Sequence, residues 1–233
     1  MRKILLVGIL LTIGYTAHSQ MSGEYNYSLA LRAYTVMQMP KIVDEANSRY
    51  FTNAPINGVF VKFNNNQIGY RFGGTYYNRS KNFFNNCETC EEANGKLVDY
   101  SFKLGFEKNF NYAYVQPYIA LDVGFRSNEF NGDLENRNDL KAQASKTPIA
   151  SSVKLEASKV GFVVAPTFGI RINPLKYISF FAEGSLDFFY SYERQETVAR
   201  DVANTRTFKK FNKTEYLLNP FSIGIQVHLN RNK

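Results

Sequence analysis

KVGFVVAPTFGIRINPLKYISFFAEGSLDFFYSY, residues 159–192, is the stretch that decides the fold. In its first arm every second residue is apolar: Val160, Phe162, Val164, Pro166, Phe168, Ile170 and Ile172. The positions between them, Lys159, Gly161, Val163, Ala165, Thr167, Gly169 and Arg171, are mostly small or polar. Asn173-Pro174-Leu175 breaks the run and a second alternation begins. Ile178, Phe180, Ala182, Gly184, Leu186, Phe188 and Tyr190 take one face; Ser179, Phe181, Glu183, Ser185, Asp187 and Ser191 take the other. A period of two marks strands, because successive strand side chains point to opposite faces. Each arm is longer than the usual soluble strand of about five or six residues. Such arms suit a tilted strand crossing a membrane, which needs roughly 9–11 residues. The stretch reads as one hairpin of a transmembrane β-barrel.

Working outward, the same alternation predicts strands over 25–37, 57–63, 67–79, 97–110, 113–126 and 216–229, which with the hairpin make eight. On the first, Tyr25, Tyr27, Leu29, Leu31, Ala33 and Met37 share the apolar face, and Arg32 lies opposite. Short turns at 64–66, 111–112 and 173–175 alternate with long connections at 38–55, 80–96, 127–156 and 193–215; a short helix is expected over 41–46, after Pro40. A two-residue turn at Asn111-Tyr112 sets Ser101 opposite Asp122, with Lys103 one diagonal step from that carboxylate. Strict alternation puts both termini on the side of the short turns. The expected fold is all-β: an eight-stranded antiparallel up-and-down transmembrane β-barrel.

Residues 1–19 read as a signal peptide: Arg2 and Lys3, an apolar run too short to span a bilayer, then Ala17-His18-Ser19 as a cleavage signal. The remaining 20–233 is expected to form a single domain. After the leader there is no run of 18 apolar residues, so the spans must be strands. A negative mean hydropathy fits, because only alternate residues of a barrel strand face lipid. The 16 Tyr and 20 Phe suit interfacial girdles. The net charge is +8, of which Arg2 and Lys3 carry two, and no nucleic-acid motif accompanies it. Solvated loops and a paired lumen account for that charge.

With these strands and connections, the chain resembles the small outer-membrane β-barrels of Gram-negative bacteria, of the OmpX and OmpA-transmembrane type. Its Asn-, Tyr- and Phe-rich composition is similar to Bacteroidota members, including the PorT-like group. The resemblance covers all eight strands and rests on pattern. It implies residence in the outer membrane, with periplasmic termini, long extracellular loops, and contact with outer-membrane lipid and lipopolysaccharide. Barrels of this kind often end on an aromatic residue, whereas this chain ends Leu229-Asn230-Arg231-Asn232-Lys233.

Strand parity places Arg32, Lys62, Arg71, Lys103 and Arg171 in the lumen with Glu107, Asp122, Glu183 and Asp187. Isolated buried charges are costly, so they should pair. Cys87-Glu88-Thr89-Cys90 lies in a polar loop without the βαβ context of a redox pair, and a Cys87–Cys90 disulfide is the reading taken. Asp133, Glu135 and Asp139 alternate like calcium ligands but lack the glycine and final glutamate of an EF-hand, and read as solvated charge. Of the two histidines, His18 leaves with the leader and His228 sits at the periplasmic end of the last strand. A Ser-His-Asp set therefore has no rim histidine. Arg194, Arg200, Arg206, Lys209, Lys210 and Lys213 make the last connection the most basic segment, a candidate for lipid phosphates or a surface partner.

The expected protein is a non-enzymatic, cofactor-free, metal-free monomer with a side-chain-filled lumen and a structural, adhesive or interaction role for its loops. The alternative is a periplasmic lipocalin-like binder of an apolar small molecule, with the apolar face turned inward.

Overall fold

The computed structural model describes residues 27–42, 51–65, 67–84, 91–110, 114–136, 153–175, 177–199 and 205–229. Eight strands occupy them: β1 Tyr27–Gln38, β2 Phe51–Asn65, β3 Ile68–Phe84, β4 Glu91–Asn109, β5 Val115–Asn136, β6 Val153–Ile172, β7 Ile178–Ala199 and β8 Arg206–Leu229. Each pairs antiparallel with its sequence neighbour, and β1 closes the ring on β8, Tyr27 opposite Leu229. No helix among the described residues is long and apolar enough to cross a membrane, so any crossing is made by strands.

Around the lower barrel, nearest the short turns, the apolar face points outward. Leu104 is 58% exposed, Phe162 73% and Phe168 71%, whereas Asp122, opposite Gly105, is 3% exposed inside. The lipocalin-like alternative needs the reverse arrangement, and this geometry sets it aside. Aromatic residues edge the apolar band, with Tyr27, Tyr70 and Tyr114 at one end and Tyr76, Tyr190, Tyr192 and Tyr216 at the other.

Beyond the second aromatic ring the strands continue, but the polarity of their faces exchanges. On β6, Val160 is the last outward apolar residue; Glu156 and Lys154 then face out, and Ala157 and Leu155 face in. On β5, Phe125 gives way to an outward Glu129 and an inward Phe130; on β4, Phe102 gives way to an outward Lys96 and an inward Leu97. The exchange puts apolar residues on the outer face below the ring and on the inner face above it. Leu97, Phe130 and Leu155 join Phe83, Tyr77 and Met37 in a dry core at the long-connection end. Met39 and Ile42, from the segment after β1, insert into it and are 2% and 0% exposed.

Several sequence expectations change here. The connection read at 193–215 is largely strand, as are the ends of 127–156, 38–55 and 80–96. Lys41 and Ile42 are not helical, and 43–46 lie outside the described residues. Met37 is inside rather than outside, because the ladder slips between Arg32 and Tyr34. The slip inserts Ala33 on β1 and Ile56-Asn57 on β2, and a one-residue insertion exchanges faces. The turn between β4 and β5 is wider than two residues. Asn109 pairs with Tyr118, which sets Gly105, not Ser101, opposite Asp122.

Candidate functional site

The lumen is filled by ion pairs in three tiers. Lowest, the Arg71 guanidinium donates to Asp122 Oδ2 at 2.6 Å and to Glu183 Oε2 at 3.2 Å, and lies 3.7 Å from Glu107 Oε2. Arg32 pairs with Glu183 and Arg171 with Glu107, while Lys62 donates to Glu107 at 2.7 Å. Tyr118 donates its hydroxyl to Glu183 at 3.0 Å. The Phe60 ring lies 4.8 Å from the Arg32 guanidinium and 5.2 Å from that of Arg71. In the middle tier, Asp187 takes Lys103 at 2.9 Å and Arg126 at 3.3 Å, and Arg126 Nε donates to Asp99 at 2.9 Å. In the top tier, fully buried Lys159 lies 2.9 Å from Glu215 and 3.1 Å from Glu193. Glu215 also accepts the Lys41 backbone N–H at 2.8 Å, fastening the inserted segment.

These pairs engage seven cations, Arg32, Lys62, Arg71, Lys103, Arg126, Lys159 and Arg171, and seven anions, Asp99, Glu107, Asp122, Glu183, Asp187, Glu193 and Glu215. Charge balances within the lumen, so the buried network needs no external counter-ion. Glycines make room for it. A Cβ on Gly169 would land on the Tyr118 ring, and one on Gly105 would land on the Asp122 carboxylate.

Of the residues assigned to the lumen from sequence, Arg32, Lys62, Arg71, Glu107, Asp122, Arg171 and Glu183 come together in the lowest tier. Lys103 and Asp187 belong to the middle one, so the partner of Lys103 is Asp187, not Asp122. The structure adds Asp99, Arg126, Lys159, Glu193 and Glu215 to them. Parity was the available signal, since Asp99 shares a face with Lys103 and Arg126 with Asp122.

His228 is buried at the short-turn end between Ser28, 3.0 Å from Nδ1, and Ser179, 2.5 Å from Nε2. Both ring nitrogens are thus within hydrogen-bond reach of hydroxyls. Cys87, Cys90, Asp139 and Arg200 lie outside the described residues. Asp133 and Glu135 are on β5, and no metal-ligating group of three occurs among the described residues.

The basic segment is a β-hairpin rather than a loop. Arg194 is on β7, and Arg206, Lys209, Lys210 and Lys213 are on β8. Arg194 stands directly opposite Lys210 on the outward face. Beside it, a groove of about 340 Å³ on the outer wall is lined by Lys96, Glu129, Asn131, Glu156, Ser158 and Arg194, among others. The hydrogen bond from Lys154 holds the exposed Glu156 carboxyl below its ordinary range.

No protein-family model and no curated protein matches the chain. Among solved structures it is similar to the outer membrane protein OprG from Pseudomonas aeruginosa, with TM-score 0.55 and 11% identity over 89% of this chain and 98% of that one. It is also similar to a major outer membrane protein from Thermus thermophilus, with TM-score 0.50 and 10% identity over 87% and 99% of the two chains. At such identities the likeness speaks for the fold. By fold, the chain is a small β-barrel of the outer-membrane type.

Proposed function

We propose that the chain is an integral outer-membrane protein whose barrel is closed to ions and whose extended wall outside the membrane serves contact with other molecules. The exchange of polarity at the second tyrosine ring carries the membrane reading, since an outward apolar band ending abruptly at tyrosines suits lipid below and water above. In this orientation the termini and short turns are periplasmic and the long connections extracellular. An eight-stranded barrel has an interior just wide enough for side chains to fill, and the balanced ion pairs fill it. The apolar core with Met39 and Ile42 seals the far end. No catalytic role is assigned to the lumen, where the charged side chains of the three tiers engage one another.

An interaction role is favoured over a purely structural one by the hairpin of β7 and β8, which extends past the aromatic ring with its outer residues exposed. Conductance tests the closed lumen. Purified protein reconstituted in planar bilayers is expected to give no steps above baseline in molar salt; discrete openings of the wild-type chain would overturn the closed-barrel reading.

A further inference from the structure

On the outward face of β7, Tyr190 and Tyr192 belong to the aromatic ring, and Arg194 is the next outward residue, about 6–7 Å further along the strand. That is headgroup level, if the barrel sits in a bilayer as proposed above; the inference rests on that reading. Directly across the ladder from Arg194 is Lys210. Residues opposite each other in an antiparallel pair have Cβ atoms about 4.5–5.5 Å apart, and like charges so placed destabilise the pair. Glu196 offsets little of this. It lies 3.4 Å from Arg194 and 3.7 Å from Arg206, so one carboxylate serves two guanidinium groups that are 53% and 66% exposed. No described carboxylate pairs with Lys210. The Phe208 ring lies 5.5 Å from the Arg194 guanidinium. Arg194, Arg206, Lys210 and Lys154 against Glu196 and Glu156, which stand opposite each other on β7 and β6, make a patch of net charge +2 above the tyrosines.

The lumen balances its charges internally; this patch does not. We propose that Arg194 and Lys210 form a binding site for the phosphate of a lipid headgroup in the outer leaflet, with Arg206 as a further cation. The site needs an anion from outside the chain, and a membrane phosphate is the anion present at that height. On the opposite wall, the described outward residues of β3 beyond Tyr76 are Asn78 and Ser80, with the single cation Lys96 of β4 across from Ser80.

The sequence holds no tryptophan, so one introduced indole reports on its own lipid neighbours. Tyr192→Trp places it beneath the patch, and Tyr76→Trp places it four strands away. Each variant is refolded in phosphatidylcholine vesicles containing brominated phosphatidic acid or brominated phosphatidylcholine, with heat-modifiable mobility verifying the barrel. Near the patch, the brominated phosphatidic acid is expected to quench with roughly five-fold or greater preference, since a basic residue near a membrane surface is worth about that factor. Tyr76→Trp should show no preference. Adding R194Q and K210Q to Tyr192→Trp should abolish it, and R194Q alone should weaken it. Equal preference at the two sites, or a preference that survives R194Q/K210Q, overturns the site. Loss of the preference in millimolar inorganic phosphate overturns the lipid as occupant in favour of a soluble anion. If neither brominated lipid quenches either indole, the membrane reading itself fails.

Discussion

At the scale of single residues, Arg71 holds the lowest tier together. It is 3% exposed and lies within 4 Å of Asp122, Glu107 and Glu183. Removing one member of a buried ion pair is costly mainly because the charge left behind is desolvated and unmatched. Arg71→Met, which keeps an unbranched apolar side chain, should therefore lose about 3–5 kcal/mol in urea unfolding of the refolded protein. Replacing the partner as well, Arg71→Met with Asp122→Leu, should recover part of that loss, with a coupling of about 0.5–3 kcal/mol. Strict additivity of the two changes would contradict a shared network. The exposed pair Lys154–Glu156 gives the contrast, since Lys154→Met should stay within about 0.5 kcal/mol.

At the scale of elements, the slip in the β1 ladder shapes the upper barrel. Ile56 sits there with φ of 43°, in the left-handed region that a β-branched side chain adopts only under strain, and it is 71% exposed. With little packing to lose, Ile56→Gly should raise stability by about 1 kcal/mol, the order of the strain released. A fall in the urea midpoint would show that the side chain matters more than the strain. The slip is invisible in the sequence, because Ala33 looks like an ordinary member of its strand and Ile56 falls just before the strand read over 57–63. By contrast, the hairpin at residues 159–192 was legible, since one environment surrounds its whole length and one period describes it. The upper strands obscured themselves for the opposite reason. Beyond the second aromatic ring, the apolar residue moves from Val160's face to the face of Ala157 and Leu155. A constant geometry then reads as a broken pattern, and 127–156 looked like loop although β5 continues to Asn136 and β6 begins at Val153. Parity identified the inward charges below that boundary. Their partners across the lumen, such as Asp187 for Lys103, depend on barrel closure and were beyond its reach.

At the scale of the whole molecule, the outer surface is apolar below the second aromatic ring and polar above it, and the interior carries charges below and apolar side chains above. Closure explains why a single chain can carry all three. No strand edge is left open at the level of the apolar band, and every inward charge in the ion-pair tiers finds a partner on another strand. The assignment of inside and outside is the claim on which the rest depends, and Asp122 tests it most directly. It lies in the lumen, 3% exposed, with its carboxylate on Arg71 at 2.6 Å. Urea unfolding of Asp122→Ala against the wild-type chain, both refolded in lipid vesicles, should show a loss of about 3–5 kcal/mol. A change below about 0.5 kcal/mol, the range of a plain surface substitution, would mean that this face meets solvent and that the barrel is turned the other way.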